Sequence, residues 1–217
     1  MLEALRPVRY LGVDISREFL RESTRCLADD YPWLEVHAIH ADFCQRVALP
    51  PGVPCERPVA FFPGSSIGNF APWEAQDFLR GLHGLLPAGG GLLVGVDLIK
   101  DARILDAAYN DAAGLTAAFN RNLLLRMRDE FEGDLDPQRF MHRAFYNAAE
   151  SRVEMHLVSA DEQRISVAGE QFHFSSGETL HTENSYKYSV AGFQTLAAHA
   201  AWTDRDALFS LHYLERA

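Results

Sequence analysis

Val59-Ala60-Phe61-Phe62-Pro63-Gly64-Ser65-Ser66-Ile67-Gly68-Asn69-Phe70 reads as the end of a buried strand that breaks into a loop with two glycines. A helix is predicted to start near Pro72-Trp73-Glu74, because proline is tolerated in a first turn whose backbone N–H groups lack partners anyway. A strand that opens at its carboxyl end into a Gly/Ser/Asn loop is where open α/β sheets place their ligands. The same residues also suit a plain strand-to-helix turn, with the glycines meeting backbone needs and Asn69 capping the helix.

Working outward from this stretch, Val8 to Asp14 reads as a short strand, and Ser16 as the N-cap of a helix running to about Asp30. Leu34 to Ile39 forms a second strand, ending at Asp42-Phe43, and a Pro-rich linker spans 50 to 58. Beyond the loop, a helix from Trp73 to Leu86 and a Pro87–Gly91 turn lead into Leu92 to Leu98. That continuous apolar run suits a parallel strand covered on both faces. The order strand, helix, strand, strand, helix, strand implies a doubly wound parallel sheet. Three of its strands end in Asp14, Asp42 and Asp97, and carboxylates there accept hydrogen bonds from ribose hydroxyls or an exocyclic amine. A single Asp at a strand end is also a common turn former, whereas three in register favour a ligand.

Residues 101 to 131 are Ala-rich, with no proline and a single glycine, Gly114, and are predicted helical. The pattern then changes to alternation over 140–146, 152–158 and 164–167, as expected of antiparallel strands with one wet face. Phe172 to Tyr188 is polar. A helix at about 190–200 and a hairpin over 201–203 and 208–214 close the chain. An α+β block set between a parallel half and a closing hairpin suggests a cofactor domain carrying a substrate-recognition cap.

The 217 residues carry a formal net charge of −10, which argues against a phosphate-backbone partner and favours small-molecule chemistry. No run of about 20 apolar residues is present, so no membrane span is expected. Cys26, Cys44 and Cys55 suggest reduced cytosolic thiols. His37, His40 and Cys44 are the nearest approach to a metal cluster, but residues three apart on a strand face opposite ways, and no metal is expected.

The Phe61–Phe70 stretch, Gly95-Val96-Asp97-Leu98-Ile99-Lys100-Asp101 and Ala108 to Asn122 strongly resemble the histidine-specific N-methyltransferases of ergothioneine biosynthesis. Arg152-Val153-Glu154-Met155 and Glu183-Asn184-Ser185-Tyr186-Lys187-Tyr188 extend the resemblance over nearly the whole chain. It implies a Rossmann-like class I methyltransferase sheet with an inserted α+β substrate domain. The corresponding division is 1–106 for the S-adenosylmethionine-binding part, 107–188 for substrate recognition and 189–217 for the closing helix and hairpin. It also implies S-adenosylmethionine as cofactor and trimethylation of the α-amino group of L-histidine to hercynine by a cytoplasmic enzyme, expected to be monomeric.

Carried over by position, Asp14 would hold the ribose hydroxyls, Asp42 and Phe43 would surround the adenine, and Gly64 would lie close to cofactor and substrate. Asn69 and Tyr109 would grip the amino and carboxylate groups of the amino acid. Glu183 and Ser185 would bond the two imidazole nitrogens, with Met155 lining that pocket. A carboxylate plus a hydroxyl matches imidazole in either protonation state. No general base is assigned, since methyl transfer depends mainly on alignment.

One departure stands out. The family begins with a strand and a glycine-rich loop, and no Gly-x-Gly loop precedes Asp14 here. The chain is therefore expected to be a fragment lacking the central strand between those ending at Asp14 and Phe62, with two apolar edges left unpaired. Two other readings stay open: an indole amino acid such as tryptophan as the acceptor, and a non-catalytic remnant.

Overall fold

The strand that ends at Asp14 and the strand that ends at Phe62 fall in different compact units, Met1–Glu56 and Arg57–Ala217. The computed structural model describes residues 1–45, 47–50, 57–208 and 211–216, without the side chains of 204–208. Cys55 and most of the Pro-rich linker lie outside the described residues.

In the first unit, helix α1 (Leu2–Leu5) precedes strand β1 (Arg9–Asp14), helix α2 (Arg17–Asp30) and strand β2 (Glu35–His40). β1 and β2 are parallel, in register from Arg9↔Glu35 to Asp14↔His40. α2 buries Leu20 and Thr24. Gly12 lets the helix approach: a Cβ there would lie 3.1 Å from atoms of both Leu20 and Thr24. Ser16 occupies the N-cap position, but its side chain makes no cap bond. Its backbone N–H instead donates to Asp14 Oδ1 at 2.7 Å, so the strand-end acid forms the turn. His37 and His40 are held apart: His37 Nε2 meets Glu35 Oε1 at 2.7 Å, and His40 Nε2 meets the Ile15 carbonyl at 2.9 Å.

The second unit starts with β3 (Val59–Phe62), a 3-10 turn (Ser66–Asn69), α3 (Pro72–Leu85) and β4 (Gly91–Gly95). It continues through α4 (Ala102–Tyr109), α5 (Leu115–Glu130), β5 (Phe140–Asn147), β6 (Arg152–Ser159), β7 (Gln163–Val167), β8 (Glu170–Phe174) and β9 (Thr179–Tyr186). The chain closes with α6 (Val190–His199), β10 (Trp202–Leu208) and β11 (Leu211–Arg216). One sheet has the order β10-β11-β4-β3, with β3 parallel to β4 and the hairpin antiparallel. β5-β6-β9 form a three-stranded antiparallel sheet, and β7-β8 a separate ribbon. Ile67, Leu79, Leu92, Val94, Phe193 and Leu214 are fully or almost fully buried in the main core. A second core beneath α5 joins Leu124, Phe140 and Leu157. Burying one such side chain is worth about 1.5–3 kcal/mol.

β1 and β3 each have one hydrogen-bonded neighbour among the described residues, and their apolar side chains Tyr10, Val59 and Phe61 are exposed. No helix among the described residues is long and apolar enough to cross a membrane.

Four local readings are corrected. Asn69 does not cap α3: the N-cap is Ala71, whose N–H donates to Glu74 Oε2 at 2.7 Å. The predicted helical block over 101–131 is two helices, because Gly114 adopts a left-handed φ of 71°. Asp111 caps the second helix, taking the N–H groups of Leu115 at 2.9 Å and Thr116 at 2.8 Å. β4 stops at Gly95 rather than Leu98, where its pairing with β11 also ends. Finally, the polar segment 172–188 contains the end of β8 and all of β9, which pairs with β6.

Candidate functional site

The β3 loop is built from two consecutive left-handed residues, Gly64 at φ 76° and Ser65 at φ 60°. Only glycine adopts that region freely, so Ser65 needs an anchor. The anchor is its hydroxyl, which accepts the Asp97 N–H at 2.8 Å. Gly95 makes the approach possible, since a Cβ there would lie 3.1 Å from Gly64 N. Further along the loop, Ile67 is fully buried and Gly68 presses against β9. A Cβ on Gly68 would sit 2.8 Å from the Tyr186 carbonyl oxygen and 3.6 Å from Ser185 Oγ. Asn69 ends the turn, exposed.

β6 and β9 pair Met155 with Glu183 and Val153 with Ser185, so these four side chains share one face of the sheet. α4 covers that face through Leu105 and Tyr109. The helix is locked in place by polar contacts to β5: Asp106 accepts the Tyr146 N–H at 2.6 Å, and Asn110 Nδ2 donates to the Ala144 carbonyl at 3.0 Å. His142 Nε2 contacts the Tyr109 carbonyl at 2.8 Å, and Asn120 Nδ2 contacts His142 Nδ1 at 3.0 Å. This pair of contacts holds the His142 ring between α5 and the end of α4. Tyr109 Oη then donates to Ser185 Oγ at 2.8 Å.

Lys187 stands behind both hydroxyls, its side chain 1% exposed. Its ammonium donates to Ser185 Oγ at 2.8 Å, Tyr109 Oη at 2.9 Å and Asp97 Oδ2 at 3.0 Å. Asp97 Oδ1 receives Lys100 Nζ at 2.6 Å. Burial pushes the Asp97 carboxyl up, but the bonds from Lys100 and Lys187 overcome this and hold its pKa below the ordinary value. Asp97 is thus an ion-pair anchor, which corrects the reading of it as a nucleoside acceptor: both its oxygens are committed to lysines. Glu183 behaves oppositely. Burial raises its pKa, and the Lys187 charge offsets only part of that rise.

The structure therefore brings Tyr109, Met155, Glu183 and Ser185 onto one face, and Gly64 and Asn69 lie in the loop that abuts it. Asp14, Asp42 and Phe43 belong to the other unit. There, Asp14 borders a groove of about 230 Å³ lined also by Tyr10, Gly12, Phe19, Leu20 and Thr24. Asp42 Oδ1 accepts the Cys44 N–H at 2.9 Å and Oδ2 the Gln45 amide at 3.0 Å. The Cys44 backbone bond leads in holding its carboxyl below the usual range. Sequence reasoning missed Lys187 and Gly68. The available signal for the first was a lysine flanked by two aromatic residues, Tyr186 and Tyr188, at a strand end.

Each unit carries one feature common at the ligand-binding ends of α/β strands: in one, a left-handed loop at Gly64 opens at the carboxyl end of a parallel strand, and in the other a strand-end carboxylate at Asp14 borders a groove. A solved structure, the PH0226 protein from Pyrococcus horikoshii OT3, shares the fold with a TM-score of 0.50 at 14% identity, over 100% of this chain and 76% of that one. At that identity the likeness shows the fold alone, a Rossmann-like α/β arrangement.

The model of the histidine-specific, S-adenosylmethionine-dependent methyltransferases matches residues 1–216, and the chain belongs to that family. It is 35% identical to histidine N-alpha-methyltransferase of Mycolicibacterium smegmatis, over 97% of this chain and 69% of the relative. It is 28% identical to ergothioneine biosynthesis protein 1 of Neurospora crassa, over 100% of this chain and 26% of that longer protein.

Proposed function

We propose that the protein methylates the α-amino nitrogen of L-histidine three times, giving hercynine for ergothioneine biosynthesis. The observation that carries this reading is the pairing on β9 of a carboxylate, Glu183, and a hydroxyl, Ser185, two residues apart on one face. That spacing offers one acceptor and one hydroxyl to a planar ring with two nitrogens, as imidazole requires. An indole ring has a single N–H and would leave one of the two groups unmatched.

S-adenosylmethionine supplies an electrophilic methyl group. The protein's own residues then have to orient the amine lone pair, and alignment of that kind accounts for much of the rate in such displacements. In this reading Asn69 and the Tyr109 oxygen hold the amino and carboxylate groups, keeping the neutral amine in line. Met155 lines the ring pocket. Gly64 passes close to cofactor and substrate, Asp14 takes the ribose hydroxyls, and Asp42 with Phe43 flanks the adenine. We divide the chain functionally into 1–106, 107–188 and 189–217, and place it in the cytoplasm as a monomer acting on a small molecule.

Incubation with S-adenosylmethionine and each of the twenty amino acids, read by mass spectrometry, tests the proposal. Trimethylated histidine is expected. Faster methylation of tryptophan or another amino acid overturns it. Calorimetric titration with S-adenosylhomocysteine tests the remnant reading, which predicts no binding.

A further inference from the structure

Glu183 and Ser185 would fit imidazole in either protonation state if the hydroxyl were free to donate or accept. The surroundings of Ser185 remove that freedom. An ammonium has three N–H groups, and those of Lys187 are matched by three acceptors, Asp97 Oδ2, Tyr109 Oη and Ser185 Oγ. A hydroxyl oxygen has two lone pairs. At Ser185 Oγ one receives Lys187 at 2.8 Å and the other receives the Tyr109 O–H at 2.8 Å. A phenol is the better donor and an aliphatic hydroxyl the better acceptor, which sets the direction of the second bond. Ser185 is left with nothing to offer but its hydrogen. Tyr109, having donated its own hydrogen, keeps a lone pair for an amine N–H.

We infer that Lys187 is a specificity-determining positioning residue: it holds Ser185 as an obligatory donor, so the pocket accepts the neutral imidazole and rejects imidazolium. This rests on the functional reading above. Glu183 as a carboxylate takes the single ring N–H, and Ser185 donates to the bare ring nitrogen. Imidazolium would present a second N–H to an oxygen with no lone pair left. The titratable or charged groups packed around Ser185 are Tyr109 from α4, Tyr146 from β5, Glu183 and Lys187 from β9 and its extension, and Asp97 with Lys100 after β4. From β6 the neighbours on that face, Val153 and Met155, are apolar.

The test compares L-histidine with 1,2,4-triazolylalanine by calorimetry between pH 7.5 and 5.5, with S-adenosylhomocysteine present. The triazole stays uncharged over this range and also offers one N–H and bare nitrogens, so titration of Glu183 cancels in the ratio of the two affinities. With imidazole titrating at about 6.5, histidine should weaken about tenfold relative to the triazole at the acid end. A constant ratio overturns the inference. In Lys187→Met, Ser185 regains a lone pair and the shift should fall below about twofold. The double variant Asp97→Asn/Lys187→Met, which leaves no unpaired buried charge, should do the same if the single variant fails to fold. Persistence of the tenfold shift in whichever variant folds overturns the role of Lys187. Failure of either amino acid to bind at any pH overturns instead the functional reading.

Discussion

Gly68→Ala places one methyl group where the structure has no room for it. The new Cβ would sit 2.8 Å from the Tyr186 carbonyl oxygen, against 3.4 Å or more for ordinary contact. Neither partner yields cheaply: Tyr186 is paired with Arg152 across β6, and Gly68 follows the fully buried Ile67. Relief requires roughly half an ångström of separation between the turn and β9, and overpacking of this kind costs about 1–3 kcal/mol. At a central figure of about 2 kcal/mol, the melting temperature should fall by roughly 4–8 °C. The displacement acts on the residue beside Ser185, whose 2.8 Å bond from Tyr109 would stretch past the normal range for O–H···O. Loss of one hydrogen bond of about 1.4 kcal/mol predicts roughly a tenfold rise in the KM for histidine. Thermal denaturation and steady-state kinetics on the same preparation check both figures. A variant melting within about 1 °C of the parent with unchanged KM would refute the claim that this contact positions β9.

Asp97→Asn removes the anion from a lysine that is almost wholly buried, and should destabilise by about 3 kcal/mol, measurable in urea. Glu183→Gln separates stability from binding. Burial raises the Glu183 pKa, so its neutral form is favoured in the fold, and the stability that goes with protonation is lost as pH rises through the folded value. The variant should therefore melt at or above the parent at pH 8 but not at pH 4, while binding histidine at least tenfold more weakly for want of a charged hydrogen bond. Glu154 shows the opposite sign. Burial alone would raise its pKa, but bonds from Asn147, His156 and Arg152 hold it at about 2. Its contribution is present above the unfolded value and lost as pH falls towards 2, so Glu154→Gln should flatten the acid limb of the stability profile.

Apolar runs made the parallel strands legible, but only one is buried as expected: Leu92 and Val94 lie fully in the main core, whereas in β3 only Ala60 and Phe62 pack against it and Val59 and Phe61 are exposed. Alternation did the same for β5 and β6. β9 was not legible because Thr179–Tyr186 is polar on both faces: one bonds across to α4 and Lys187, the other carries His181 and Asn184. The break between α4 and α5 was hidden because the signal is not the glycine alone but Asp111, whose carboxylate closes the next helix from several residues upstream. The resemblance drew attention to Tyr109 and Ser185 separately, yet their mutual bond spans 76 residues of sequence and depends on how α4 lies on the sheet. Asp97 was misread for the same reason. Its fate is decided by Lys187, which no local pattern around Asp97 announces.

Ser65 is a serine in a left-handed conformation, fastened by its hydroxyl to the backbone of Asp97, whose carboxylate in turn fastens Lys187. A non-glycine residue held there stores about 1–3 kcal/mol of strain. The loop at Gly64 and the hydroxyls of Tyr109 and Ser185 therefore share a single mechanical chain of polar contacts. Whatever steadies one end lowers the cost of ordering the other. By thermodynamic linkage, whatever effect a ligand held at the loop has on affinity at Ser185 is returned by the same factor.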